Sequence, residues 1–217
     1  MVKAVIFDLD GTLLDTMLEW ENIGANYLKS LGLDPEYNIN EILKPLSLEE
    51  ASEYFITKYK VNKTSKEIIN DINSLIAEQY KNHLELKDGV LDVLNELKEK
   101  NIKMCVATAT DHDLAVSALK RLNIDNYFEF VLTCGEVGYS KKYPTIYIEA
   151  TNKLGLTIND ILIFEDSLMA MKTAKAAGFK IVGIYDIASR QEQEEIKELC
   201  DKYILKFEDL KSGEAII

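Results

Sequence analysis

Val2-Lys3-Ala4-Val5-Ile6-Phe7-Asp8-Leu9-Asp10-Gly11-Thr12 decides how this chain is read. An apolar run suited to a strand buried on both faces ends abruptly in two carboxylates, a glycine and a hydroxyl. An isolated carboxylate is costly in low dielectric, so acids at the end of a buried strand need a partner. At spacing i, i+2, Asp8 and Asp10 point the same way if strand geometry persists through Asp10. Together they ask for a cation at a strand's carboxyl end, where open α/β sheets place their chemistry. Gly11 lets the backbone turn sharply after them. The plainer alternative is a strand that merely ends in a polar turn, and the rest of the chain has to choose.

Further apolar, β-branched runs follow at Lys103–Ala107, Phe130–Thr133, Ile161–Phe164 and Lys180–Ile184. Between them lie helical patterns. Val90, Val93, Leu94 and Leu97 share one face, as do Leu114, Ala118, Leu119 and Leu122. Thr145–Lys153 reads as a helix stopped by Gly155, and Ser167–Ala177 as one stopped by Gly178. Alternation of this kind predicts a parallel, Rossmann-like sheet with helices on both faces.

The interval 16–86 breaks the alternation with helices alone. Trp20, Ile23, Tyr27 and Leu31 form a stripe. Ser47-Leu48-Glu49-Glu50 and Thr64-Ser65-Lys66-Glu67 are capping boxes, opening helices through Tyr59 and to about Tyr80. We expect an inserted all-α cap domain at 16–86 over a core of 1–15 and 87–217, hinged at Asp15–Thr16 and Leu86–Gly89. Ser189-Arg190-Gln191-Glu192 is expected to cap one further helix.

The 217 residues, 47% hydrophobic and 29% charged, have the profile of a soluble globular protein. No apolar run approaches membrane-spanning length, and no signal-peptide pattern precedes the first strand. Three scattered cysteines form neither a disulfide framework nor a zinc site, and Cys105 reads as a reduced core thiol. A cytoplasmic setting is expected. The net charge of −12 argues against nucleic acid and anionic membranes as partners.

Four pieces at predicted strand ends can converge: Asp8 and Asp10; Thr108-Ala109-Thr110; Lys141 or Lys142; and Glu165-Asp166-Ser167. Each has a bland use as a helix cap or a solvated charge. Jointly, the acids, a hydroxyl and a lysine at one sheet edge are what Mg²⁺ and a phosphate need: oxygen ligands for a hard cation and donors for phosphoryl oxygens.

"FDLDGTLLDT", the "VATAT" strand end, a lysine before "YPTIY" and "FEDSLMAMKTAKAAG" together resemble the haloacid dehalogenase superfamily, in its branch of phosphatases and β-phosphoglucomutases with helical caps. The resemblance covers nearly the whole chain. It implies that Asp8 is a nucleophile forming an aspartyl-phosphate, and that Asp10 is the acid and base serving the leaving oxygen and the attacking water. It implies Mg²⁺ held by Asp8, Asp166 and the backbone carbonyl of Asp10, with Glu165 nearby. Thr108, the N–H of Ala109 and Lys141 then grip the phosphate.

The chain departs from the family's lysine motif in reading Lys141-Lys142-Tyr143-Pro144-Thr145; alignment on Pro144 selects Lys141, with Lys142 as the alternative. Thr145 stands where the family has an acid that helps to cap the next helix, a task threonine can perform. Trp20 and Leu48 occupy the cap positions where the mutase uses a histidine and an arginine. Loss of that arginine argues against a bisphosphate intermediate. Lys44 can still reach the site from the cap, and Trp20 either packs in the cap core or lines the substrate pocket. The expected function is a Mg²⁺-dependent phosphatase of a small phosphorylated metabolite, monomeric or weakly homo-oligomeric. The alternatives are a phosphohexomutase and a non-catalytic sensor of a phosphorylated ligand.

Overall fold

Four consecutive apolar residues, each completely buried, make β1 (Ala4–Phe7) the centre of a parallel sheet. The computed structural model describes residues 2–43 and 46–210. Among these the sheet also contains β2 (Lys103–Thr108), β3 (Val131–Thr133), β4 (Ile161–Glu165), β5 (Lys180–Ile184) and β6 (Lys202–Ile204), in the order β3-β2-β1-β4-β5-β6. Val5 lies opposite Met104 and Leu162, and Phe7 opposite Val106 and Phe164. The chain reverses its direction of strand addition between β1 and β4, and a crevice opens outside the carboxyl ends at such a switch point.

The helices in chain order are α1 (Met17–Ser30), α2 (Ile39–Leu43), α3 (Leu48–Tyr59), α4 (Ser65–Asn82), α5 (Val90–Glu99), α6 (His112–Arg121), α7 (Cys134–Val137), α8 (Thr145–Leu154), α9 (Leu168–Ala176) and α10 (Gln193–Leu199). Two compact units result: Met1–Met17 with Leu84–Ile217, and Leu18–His83.

In the α/β unit, alternate strand residues supply alternate faces. Ala4, Ile6, Cys105, Ala107, Ile161, Ile163 and Ile181 form one continuous core with Tyr147, Ala150, Met171, Ala174 and Ile196 of the covering helices. The opposite parity carries the aromatic contacts, Phe7 with Phe164 (4.9 Å between ring centroids) and Phe164 with Phe207 (5.7 Å). Cys105 is the expected buried thiol, and burial pushes its pKa up to about 12. Two chain crossings are tied together beside the sheet: Leu14 bridges Leu86, the N–H of Asp15 donates to Glu85 O (3.0 Å) and that of Lys87 to Leu13 O (3.0 Å).

In the helical unit both capping boxes form. Ser47 and Glu50 exchange bonds at the start of α3, and Thr64 and Glu67 do so at the start of α4. Tyr27 packs on Phe55 with ring centroids 5.5 Å apart, and Tyr27 also donates to Asp71 (3.3 Å).

Three local expectations are corrected. β6 is an added strand, whose three residues are too few to show a period. Ser189 opens no helix: its hydroxyl turns back to Asp186 O (3.1 Å), and α10 begins at Gln193 without a side-chain cap. Thr145 does not cap α8 either, because it is already the first helical residue, after Pro144.

Candidate active site

β1 ends at Phe7, but the N–H of Asp8 still donates to Phe164 O (2.9 Å), so Asp8 stays beside β4 for one residue more. Glu165 is the last residue of β4 and Asp166 follows it. The switch point between β1 and β4 therefore gathers Asp8, Glu165 and Asp166, all buried, with one oxygen of each within 4.8 Å of the others. Asp10 lies beyond the end of the strand and outside this trio. It is half-buried, and its Oδ2 accepts the Thr110 hydroxyl (2.6 Å).

Gly11 allows the close approach. It sits at φ +77°, and a Cβ there would fall 2.5 Å from Asp166 Oδ2. Thr12 donates its hydroxyl to Asp166 Oδ1 (3.2 Å). The turn after β1 thus presses its backbone against the carboxylate that follows β4.

Lys141 and Lys142 are distinguished by burial. Lys142 is exposed, whereas Lys141 is 7% exposed and donates to Asp8 Oδ1 and to Glu165 Oε2 (2.8 Å). Thr108, at the end of β2, is buried, and its hydroxyl oxygen accepts the N–H of Thr110 (3.0 Å); Ala109 beside it is exposed. Trp20 is half-buried in the helical unit and meets Tyr80 edge-on at 6.5 Å. Lys44 lies outside the described residues.

Sequence reasoning assigned nothing to Tyr147, although "YPTIY" contains it. The residue is buried, and its hydroxyl donates to Glu165 Oε2 (2.9 Å). A tyrosine on the sheet-facing side of α8 is the available signal, since a buried phenol must find an acceptor.

The electrostatics follow from burial. Desolvation, then the charges of Glu165 and Asp10, raise the Asp8 pKa to about 7 against the pull of Lys141. Burial, then Glu165, Asp8 and Asp186, push Asp166 well above the usual carboxylate range. Burial alone would lower Lys141, but Asp8 and Glu165 outweigh it and hold the ammonium well above its ordinary value. When all three carboxylates are ionised beside one ammonium, the cluster is two positive charges short of neutrality. A divalent cation with a preference for oxygen ligands fits that deficit, in donor chemistry and in charge.

Residues 5–184 match the haloacid dehalogenase-like hydrolase family. The chain belongs to this family of hydrolases. Among the relatives of this family member is the phosphorylated carbohydrates phosphatase of Thermotoga maritima, 27% identical over 84% of this chain and 85% of that protein. Glycerol-1-phosphate phosphohydrolase 1 of Saccharomyces cerevisiae is 28% identical over 98% and 86%, and the beta-phosphoglucomutase of Bacillus subtilis 29% over 84% and 83%. A solved Thermotoga maritima structure shares the fold at a TM-score of 0.84, with 23% identity over 96% of each chain. Among the described residues, no helix is long and apolar enough to cross a membrane.

Proposed function

We propose that this hydrolase is a phosphatase of small phosphorylated metabolites, with Asp8 as nucleophile and Asp10 as acid and base. The observation that carries the reading is the placement of Asp8: buried, bonded to Lys141, and flanked by two further buried carboxylates at the switch point. Relatives named as phosphatases of phosphorylated carbohydrates and of glycerol-1-phosphate support this substrate class.

Asp8 and Asp166, with the backbone carbonyl of Asp10, would hold Mg²⁺, and Glu165 stands beside them. Once bound, the ion offsets the negative charge that otherwise keeps a carboxylate and a phosphate apart. Lys141 adds the protein's own cation at Asp8, and Thr108 with the N–H of Ala109 offers donors to the phosphoryl oxygens.

A carboxylate oxygen of Asp8 attacks phosphorus, and the bond from phosphorus to the leaving oxygen breaks as that oxygen takes a proton from Asp10. Water then attacks the phosphorus of the aspartyl-phosphate, Asp10 accepts its proton, and Asp8 leaves as a carboxylate. Asp10 suits the task because it is half-buried and its carboxylate is held by the Thr110 hydroxyl (2.6 Å). By the resemblance, Leu48 stands where the mutase uses an arginine, and loss of that arginine favours transfer to water over return to a sugar.

Hydrolysis of p-nitrophenyl phosphate tests the proposal. Inorganic phosphate should be released in Mg²⁺, and the activity should vanish with a chelator and in Asp8→Asn. Folded wild-type protein that binds phosphate in Mg²⁺ but never turns over contradicts it.

A further inference from the structure

Glu165 is fully engaged inside the protein. Its Oε1 accepts the N–H of Ser167 (3.2 Å), and its Oε2 accepts both the Lys141 ammonium (2.8 Å) and the Tyr147 hydroxyl (2.9 Å). All three side chains are buried, Tyr147 completely, so its hydroxyl cannot touch a substrate. The Lys141 Nζ also lies 5.8 Å from the centroid of the Tyr147 ring, which presents a second attractive surface to the ammonium. Lys141 reaches from the loop between α7 and α8, with no regular element to hold its long side chain in place.

We infer that Tyr147 is a positioning residue: its hydroxyl fixes Glu165 Oε2, and Glu165 with the tyrosine ring holds Lys141 on Asp8. This rests on the reading of Asp8 as nucleophile given above. A lysine tail has many rotamers, and each must be excluded if the ammonium is to meet charge that develops only during phosphoryl transfer. A carboxylate free to rotate would hold it poorly. The tyrosine supplies the missing constraint. α8 places it, one turn after Pro144, against Phe179 at 6.1 Å between ring centroids.

Tyr147→Phe removes the hydroxyl and keeps the ring and its packing. With p-nitrophenyl phosphate in saturating Mg²⁺, kcat should fall about 10- to 100-fold, the range seen when a supporting partner of a site is removed. KM should stay within about twofold. Inhibition by orthovanadate, a mimic of the transferring phosphoryl group, should weaken by a factor similar to the loss in kcat. Phe179→Leu is the control: it loosens the packing around the ring but leaves the hydroxyl, so it should lower the melting temperature and keep kcat. Tyr147→Phe with wild-type kcat and vanadate affinity overturns the inference and leaves the phosphatase reading intact. Loss of kcat in Phe179→Leu equal to that in Tyr147→Phe also overturns it, because packing alone then explains the effect. A wild-type protein with no phosphatase activity defeats the reading on which the inference rests.

Discussion

Gly11 shows how one residue without a side chain can shape a charged site. Its φ of +77° belongs to the left-handed region, and a Cβ there would lie 2.5 Å from Asp166 Oδ2 and 2.9 Å from Met17 Cγ. In Gly11→Ala the backbone strain alone should cost about 1–3 kcal/mol. The displaced Asp166 should also weaken Mg²⁺ binding, readable by calorimetry on the folded variant. Wild-type stability and metal affinity together would show that the turn exerts no such pressure. At this scale the sequence was legible where a residue's own chemistry sufficed. Asp8, Asp166 and Thr108 stood out because acids and hydroxyls are unexpected at the ends of buried strands. Lys141 was preferred to Lys142 only by alignment on Pro144, because two neighbouring lysines differ in burial, which the fold decides. Tyr147 stayed hidden because its partner is 18 residues away and on another element.

At the scale of elements, the strands were read from runs of buried apolar residues and the cap helices from their boxes, both local signals. β6 and the 3₁₀ turn that ends at Ser189 were missed for the complementary reason. Three residues carry no period, and a serine four places before a helix bonds to whichever carbonyl the fold brings near. The start of β4 adds a prediction. Asp160 accepts bonds from Thr157 N (3.1 Å) and Oγ1 (2.7 Å) and pairs with Lys3 (2.9 Å), while the N–H of Lys3 donates to Asp160 O (2.8 Å). The Thr157 hydroxyl bond and then Lys3 lower its pKa from 3.8 to about 2. A depressed carboxylate stabilises the fold above its unfolded pKa and loses that contribution as pH falls through the folded value. Asp160 should therefore help to hold β1 to β4 at pH 4 and above, and release them between about pH 4 and pH 2. Carboxyl NMR across that range checks it. An Asp160 midpoint near 4 would show that these bonds do not favour the ionised form.

For the whole molecule, the net charge of −12 opposes an anionic substrate at long range, while Lys141 and a bound cation attract it only close to the site. Screening weakens the first effect more than the second. For a phosphorylated substrate, kcat/KM should accordingly rise as monovalent salt goes from about 10 mM to about 150 mM, the range over which the Debye length shrinks from about 30 Å to about 8 Å. A steep fall with salt would instead require an extended basic surface around the site. The parallel sheet with its covering helices was legible because it follows from the alternation of strand and helix. The substrate was not, because no residue of the helical unit carries a signal as specific as Asp8. The proposed reaction turns on one bond, formed between Asp8 and phosphorus. Wild-type protein turning over p-nitrophenyl phosphate in Mg²⁺ can be quenched in tritiated borohydride, which reduces an acyl phosphate and labels its carbon. Label confined to the peptide carrying Asp8, and dependent on both substrate and Mg²⁺, is the result predicted. Label on a different residue, or continued hydrolysis with no label at all, would contradict the account.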